Sequence, residues 1–333
     1  MRVVLLPGDG IGPEIAASTR QVLAEIAPGI ELEEHAFGAA AIRATGTPLP
    51  DETLAACLAA DAVLKGPIGD PAFDAADVRP EQGLLRLRAK LGVYANLRPS
   101  RAGEVDLLIV RELVGGLYYG ARGIRDDGTV FDTCEYHPDQ VERIARRGFE
   151  LARTRRGKLT SVDKANVLET SRMWRRVVRG LASDYPDVIV EDMLVDNAAM
   201  QLASAPGQFD VIVTENMFGD ILSDLAAAVT GGLGLAPSAS LGDSGPSLFE
   251  PVHGSAPDIA GAGTANPAAM LRSAAMLLDH AAGTPDEAAA LETAVDHAIA
   301  AAPTPDLGGQ ATTQEFTDAV IGALTGQKTA RTL

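Results

Sequence analysis

The feature that most limits what this chain can become is an alternation of short apolar runs with amphipathic stretches of helical period. The runs fall at residues 3–6, 62–64, 105–110, 159–162, 188–190 and 209–214. Helical periodicity is clearest at 13–26, 139–155, 171–181, 220–228, 267–282 and 286–301. Strands interleaved with helices predict an α/β protein with a substantially parallel core. Four apolar residues in a row, as in Leu107-Leu-Ile-Val110, are what burial on both faces of a sheet produces. Periodicity alone does not separate such a run from a short buried helix. Pro13 suits a first helical turn, where its missing N–H would be unpaired in any case.

At 333 residues the length predicts about two domains with a sizeable core. No Pro/Gly/Ser-rich linker divides the chain, so the domains are expected to interleave in sequence. Internal repeats are absent, and alanine enrichment near the C-terminus simply favours helix. The balance of 28 basic against 45 acidic residues, a formal −17, argues against a duplex-DNA binder and against anionic lipid. Arg143, Arg146, Arg147, Arg153, Arg155 and Arg156 form a basic helical stretch, but without interleaved aromatics they read as a solvated face. Cys57 and Cys134 lie far apart with no Cys/His cluster, which suggests neither a disulfide framework nor zinc. The first apolar run meets Pro7 and Gly8 before a signal core can form, and no run is long enough to span a membrane. A soluble protein of a reducing cytoplasm is expected.

Four local patterns carry chemistry. In Asn216-Met-Phe-Gly-Asp220-Ile-Leu-Ser-Asp224, the two carboxylates are i, i+4 on one helix face, with no Lys or Arg three or four positions away. Like charges so placed cost a helix about 0.2–0.5 kcal/mol. Either they face water near the helix N-terminus or they hold a hard divalent cation, Mg²⁺ or Mn²⁺. Residues 79–111 invert the charge of the chain, with Arg79, Arg86, Arg88, Lys90, Arg98, Arg101 and Arg111. Converging arginines suit a small polycarboxylate. Arg111 closes the run 107–110 and would emerge at a strand's carboxyl end, where open α/β sheets bind ligands. Arg79, Arg86 and Lys90 read as a solvated helix face.

Lys164, in Ser161-Val-Asp-Lys164, stands at a strand end, where desolvation and a nearby cation can lower its pKa enough for general-base work; an exposed lysine is the plainer alternative. Gly8-Asp-Gly10-Ile-Gly12-Pro13 follows a strand and opens a helix, yet Pro13 occupies the last position of a GxGxxG fingerprint, so a dinucleotide Rossmann site is not expected. The turn-rich stretch His253-Gly254-Ser255-Ala256-Pro-Asp258-Ile259-Ala-Gly261 has a carboxylate suited to a ribose diol, and alone would pass as an ordinary loop.

Taken together, LPGDGIGPE, SVDKANVLE, NMFGDILSDLA and FEPVHGSAPDIAG resemble the metal-dependent, NAD(P)-linked β-decarboxylating dehydrogenases of 2-hydroxy acids, the isocitrate/isopropylmalate group. These blocks are long, specific, correctly ordered and spread over nearly the whole chain. The resemblance implies a non-Rossmann, two-domain α/β fold. An outer nucleotide-binding domain would comprise residues 1–93 and 231–333, and a central dimerisation and metal-binding domain residues 94–230. In this family the active site lies in the cleft and borrows residues from the partner subunit.

By the same resemblance, Asp220 and Asp224 would hold Mg²⁺ or Mn²⁺, with Asp196 supplied by the partner subunit. Arg88, Arg98 and Arg111 match the arginines that bind substrate carboxylate. Lys164, also from the partner, would be the general base, and Tyr118 rather than Tyr119 would act in the final protonation. His253, Gly254, Ser255 and Ala256 would line the nucleotide, Asn266 would lie near the adenine, and Asp258-Ile259 matches the pattern that takes NAD and repels an NADP phosphate. Glu81, Leu84 and Leu85 would flank an alkyl substituent. An apolar Leu pair disfavours an unpaired carboxylate strongly and separates alkyl groups only weakly. The implied reaction is oxidative decarboxylation of (2R,3S)-3-isopropylmalate to 2-oxoisocaproate, a step of leucine biosynthesis, in a cytoplasmic homodimer. Lys65-Gly-Pro67 is closer to the isocitrate branch, and other 3-substituted malates, homoisocitrate, tartrate or malate, and a non-catalytic regulatory subunit stay open.

Overall fold

The computed structural model describes residues 1–331, and side chains through residue 326. They form two compact units, one of Met1–Gly92 with the chain from Leu233 onward, the other of Val93–Gly232. The first unit begins with β1 (Arg2–Leu6), α1 (Gly12–Ile26), β2 (Glu31–Glu34), α2 (Ala39–Thr45), α3 (Asp51–Ala59), β3 (Ala62–Lys65) and α4 (Pro80–Leu91). The second holds β4 (Ala95–Ala102), β5 (Val105–Glu112), a small ribbon of β6 (Arg122–Ile124) and β7 (Val130–Asp132), α5 (Pro138–Arg153), β8 (Lys158–Asp163), α6 (Glu169–Leu181), β9 (Ile189–Leu194), α7 (Val195–Ser204), β10 (Val211–Thr214) and α8 (Asn216–Val229). The chain then returns to the first unit for β11 (Pro237–Leu241), β12 (Ser247–Pro251), α9 (Ala268–Leu277), α10 (Pro285–Ala301) and α11 (Thr313–Arg331).

In the first unit the strand order is β2-β1-β3-β12-β11, parallel except for β11 against β12. In the second it is β4-β5-β10-β8-β9, parallel except for β4 against β5. The parallel core expected from the apolar runs is therefore present, with β11/β12 antiparallel in the first unit and β4/β5 antiparallel in the second, beside the separate antiparallel β6/β7 ribbon. The first two pairings involve strands with weak sequence signals. β4 reads Ala-Asn-Leu-Arg-Pro-Ser-Arg-Ala and β11 Pro-Ser-Ala-Ser-Leu, each with a proline and polar residues that β-propensity disfavours or ignores. β2, Glu-Leu-Glu-Glu, is almost wholly exposed and carries no apolar face to detect.

The core of the second unit shows why its central strands are continuously apolar. Leu107 and Ile109 of β5, Val162 of β8 and Ile212 of β10 pack with Ala198 and Leu202 of α7 and Leu222 and Ala226 of α8. On the other face, Gly148 of α5 lies close against Leu159 and Val213. Helices on both faces leave no position of β10 for a polar side chain until Thr214.

The basic stretch of α5 is spent inside its own unit. Arg146 pairs with Glu142 and Asp184, Arg153 forks onto Asp187, and the Arg143 guanidinium lies 3.9 Å from the Tyr94 ring centroid. Beyond the helix, Arg155 donates to both Asp106 and buried Asp210, whose other oxygen accepts the Arg156 and Lys158 N–H groups. Asp210 thus ties the turn before β8 to the entry of β10. Replacing Asp210 by Ala leaves Arg155 with Asp106 alone and strands two N–H groups, and should cost about 1–3 kcal/mol in urea unfolding. A loss under 1 kcal/mol would show that this link is only a surface ion pair.

Candidate active site

The site residues of the second unit are placed by strand register. Arg111 of β5 pairs with Thr214, the last residue of β10, and α8 starts two residues later. The first two turns of α8 therefore rise beside Arg111. Asp163, the last residue of β8, pairs with Leu194, the last of β9, so the residues that follow, Lys164 and Asp196, also meet. Every one of these positions lies at the carboxyl end of a parallel strand, where side chains leave the packed sheet.

Arg111 and Arg98 converge on the α8 carboxylates. The Arg111 Nε and Nη2 both donate to Asn216 Oδ1, at 2.9 and 2.8 Å, and its Nη1 donates to Asp220 Oδ1. Arg98 of β4 donates through Nε to Asn96 Oδ1 (2.9 Å) and through Nη1 to Ser223 Oγ (2.8 Å) and Asp224 Oδ1 (3.2 Å). Its Nη2 lies 3.5 Å from Asp220 Oδ1. Tyr118, from the turn after β5, donates its hydroxyl to Asp220 Oδ2 at 2.9 Å. Both guanidinium groups are buried, whereas the Asp220 and Asp224 side chains remain 34% and 53% exposed. The acids thus present an open side to an incoming ligand.

This arrangement corrects the local reading of the acidic pair. The helix offers the carboxylates no cation at i±3 or i±4, but tertiary structure brings two from β4 and β5. Even so, burial and the charge of Asp220, against the pull of Arg98, raise the Asp224 carboxyl above its ordinary range. Burial and then Asp220 likewise raise the Tyr118 hydroxyl, which favours its protonated form as a donor. Two partly exposed carboxylates sharing a helix face are a hard-oxygen donor set suited to Mg²⁺ or Mn²⁺. Among the described residues no three His, Cys, Asp or Glu side chains of this one chain gather as a cation site. A third protein donor would have to come from elsewhere.

Lys164 and Asp196 form a separate pair in which Nζ donates to Oδ1 at 2.7 Å. Asp196 is largely exposed, and its contact with Lys164 holds its carboxyl below the usual range. Behind Lys164, buried Asp163 takes a fork from Arg175 and the N–H of Ala165, which fixes the turn that carries the lysine.

The first unit carries the remaining candidates. Glu81, Leu84, Leu85 and Arg88 are i, i+3, i+4 and i+7 on α4 and so share one face. Glu81 is exposed, the leucines are half-buried, and Arg88 is buried with Nε lacking any hydrogen-bond partner. Gly254, Ala256, Asp258 and Ile259 are exposed on the turn after β12, while Ser255 and Asn266 are buried. Ala256 is the one described non-glycine residue in the left-handed region, at φ 41°, a strain of the kind stored at functional turns. Burial lowers the basicity of the His253 ring, and the charge of Lys65 adds to the effect.

The Gly-Asp-Gly-Ile-Gly-Pro-Glu turn, which fails as a Rossmann fingerprint, is the scaffold of this loop. Gly10 has φ 59°, and a Cβ there would sit 1.9 Å from the Ser255 carbonyl, which accepts the Ile11 N–H at 2.8 Å. Glu14 accepts the N–H groups of Gly263 and Ala265 and the Thr313 hydroxyl. Asn266 in turn donates to Asp306 at 3.0 Å. The turn therefore grips both ends of the 253–266 stretch.

Sequence reasoning assigned no role to Asn96, Asn216, Ser223 or Glu215. The first three orient the arginines, and Asn216 was visible as the opening residue of the acidic motif. Glu215 is buried beside the Ser171 hydroxyl, and nothing in its sequence neighbourhood signals that burial.

A family model described as isocitrate/isopropylmalate dehydrogenase matches residues 2–320. The 3-isopropylmalate dehydrogenase of Oceanobacillus iheyensis is 51% identical over 349 aligned positions, covering 97% of this chain and 95% of that protein. That of Zymomonas mobilis is 51% identical over 348, covering 97% and 100%. Among solved structures, isocitrate dehydrogenase from Methylococcus capsulatus superposes with a TM-score of 0.91 at 39% identity, covering 97% of this chain and 99% of its own. A β-decarboxylating dehydrogenase from Thermococcus kodakarensis gives 0.84 at 40% identity, covering 98% and 96%. The fold is thus that of a β-decarboxylating dehydrogenase. The chain belongs to the isocitrate/isopropylmalate dehydrogenase family, whose members in general depend on a nicotinamide dinucleotide and a metal.

Two measurements test this geometry. Burial pushes the Glu215 carboxyl up to about 7, the Ser171 hydroxyl opposing and the Asp163 charge adding. The folded protein keeps this proton to higher pH than the unfolded chain, so the group costs stability as pH rises from 4.5 to about 7. Glu215→Gln should therefore gain on the native protein by up to about 3 kcal/mol between pH 5 and 8 in denaturant melts; a constant difference would refute the burial argument. Separately, a Cβ on Gly219 would meet Arg111 Cγ at 2.7 Å. Gly219→Ala should push α8 off Arg111 and lower kcat/KM by roughly ten- to a hundredfold, with a stability loss of about 1–3 kcal/mol. Wild-type kinetics would show that the close approach is dispensable.

Proposed function

We propose that this enzyme oxidises (2R,3S)-3-isopropylmalate and releases CO₂ to give 2-oxoisocaproate, with NAD⁺ as hydride acceptor and Mg²⁺ or Mn²⁺ as metal, in leucine biosynthesis. The observation that carries the reading is the convergence of Arg98 of β4, Arg111 of β5 and Tyr118 on Asp220 and Asp224 of α8. It joins carboxylate-clamping donors to hard-oxygen donors. The half-buried Leu84 and Leu85, on the same α4 face as Arg88, favour an alkyl substituent over a further carboxylate.

In this reading the second unit, broadly residues 94–230, binds metal and dimerises, while residues 1–93 and 231–333 bind the dinucleotide. Asp220 and Asp224 hold the metal together with Asp196 of the partner subunit. A divalent cation there would supply Lewis acidity at the substrate's C2 oxygen. Arg88, Arg98 and Arg111 fix the substrate carboxylates, and fixing them sets which hydrogen faces the acceptor. Lys164 of the partner subunit takes the hydroxyl proton, and Tyr118, kept protonated beside Asp220, returns a proton to carbon after CO₂ leaves. His253 to Ala256 line the dinucleotide, Asp258 and Ile259 select NAD by repelling a 2′-phosphate, and Asn266 meets the adenine.

A shared site requires a homodimer, and the exposed Ile189, Met200 and Ile221 of the second unit support an apolar interface between copies. Free Cys57 and Cys134 suit a reducing cytoplasm. No described helix is long and apolar enough to cross a membrane.

The test is NADH formation with Mg²⁺ or Mn²⁺ and a panel of 3-isopropylmalate, other 3-alkylmalates, isocitrate, homoisocitrate, tartrate and malate. The highest kcat/KM is expected for 3-isopropylmalate, abolished by chelator, and Lys164→Met should lower kcat by about 10²–10⁴-fold. Another preferred acid would overturn the Leu84/Leu85 argument, and inactivity with all of them would favour a regulatory subunit.

A further inference from the structure

Inside the first unit three ions are buried together. Register places Glu250 of β12 next after the Phe249–Leu64 pair, and thus beside Lys65 at the end of β3. Lys65 Nζ lies 2.8 Å from Glu250 Oε2 and donates to the Gly66 carbonyl at 2.8 Å. Arg88 Nη2 donates to Glu250 Oε1, also at 2.8 Å. Lys65 is 2% exposed, Glu250 5% and Arg88 8%. Burial alone would raise the Glu250 carboxyl, but the charges of Lys65 and Arg88 outweigh it and hold the group ionised.

A buried Arg–Glu pair by itself is neutral and offers an incoming anion little attraction. Here each carboxylate oxygen serves a different cation, so the cluster keeps one net positive charge. The Arg88 Nε meanwhile has no partner. A desolvated, unsatisfied donor in a cluster of net positive charge is poised for a carboxylate.

We infer that Lys65 is a positioning residue for substrate binding: it occupies one oxygen of Glu250, so that Glu250 orients Arg88 without cancelling its charge toward a substrate carboxylate. This rests on the proposed role of Arg88. Lys65 does not touch the substrate, and its effect falls on acid binding rather than on hydride transfer or dinucleotide binding.

The experiment compares wild type, Lys65→Met, Lys65→Arg, Arg88→Met and the double variant Lys65→Met/Glu250→Gln, with KM for 3-isopropylmalate, KM for NAD⁺, kcat and thermal unfolding as readouts. Lys65→Met should raise the acid KM about tenfold, the effect of one charge at short range in a partly desolvated site, with kcat and the NAD⁺ KM within about twofold of wild type. Lys65→Arg should restore it. The double variant regains one net positive charge and should also return the acid KM toward wild type. Should Lys65→Met not fold, the double variant decides alone, since it leaves no unpaired buried carboxylate. A wild-type acid KM in Lys65→Met, or a raised one in the double variant, overturns the inference. If Arg88→Met leaves the acid KM unchanged, the role of Arg88 falls first and takes this inference with it.

Discussion

The charge cluster of Arg98, Arg111, Asp220 and Asp224 is the interaction on which the rest of this active site depends. Two carboxylates one turn apart repel each other, and α8 tolerates them because β4 and β5 each deliver a buried guanidinium to that face. The arginines are equally in need of the acids. Buried and always charged, they would be costly in the sheet without partners. The resting protein therefore satisfies these charged groups with one another, while the acids keep a side open to solvent.

Such mutual satisfaction is possible only because strand register and helix entry are tightly specified. Thr214 ends β10 opposite Arg111, Asn216 opens α8 and fixes two Arg111 nitrogens, and Gly219 lets the helix backbone approach the arginine stem. The same device acts at β8 and β9, whose ends carry Lys164 and the approach to Asp196, and at β3 and β12, whose ends carry Lys65 and Glu250. Parallel pairing places consecutive strand ends at one level, so chemistry drawn from distant sequence converges without long loops.

This logic also explains what was legible in the sequence. The parallel strands announce themselves as uninterrupted apolar runs because helices cover both faces, and the acidic motif is visible because it is local. β4 and β11 escape detection because hydrogen bonding to neighbours, rather than intrinsic propensity, makes them strands. The region 267–282 reads as one helix, yet residues 278–282 widen into a π turn that periodicity does not register. Likewise the partners of Asp220, the Glu250 link to Arg88 and the burial of Glu215 depend on contacts far apart in sequence. Resemblance supplied residue roles that spacing alone left open.

If the arginines satisfy the acids proposed to bind metal, a substrate carboxylate that engages Arg98 and Arg111 must release Asp220 and Asp224 to hold the cation. Metal and acid then bind with positive coupling, each tightening the other by the same factor. Calorimetric titration of Mn²⁺ into the native protein, with and without saturating 3-isopropylmalate and without dinucleotide, measures that factor directly. The account predicts Mn²⁺ affinity at least about tenfold higher with the acid present, a coupling of about 1.4 kcal/mol. Equal affinities would contradict it, showing that the arginine and carboxylate groups act independently.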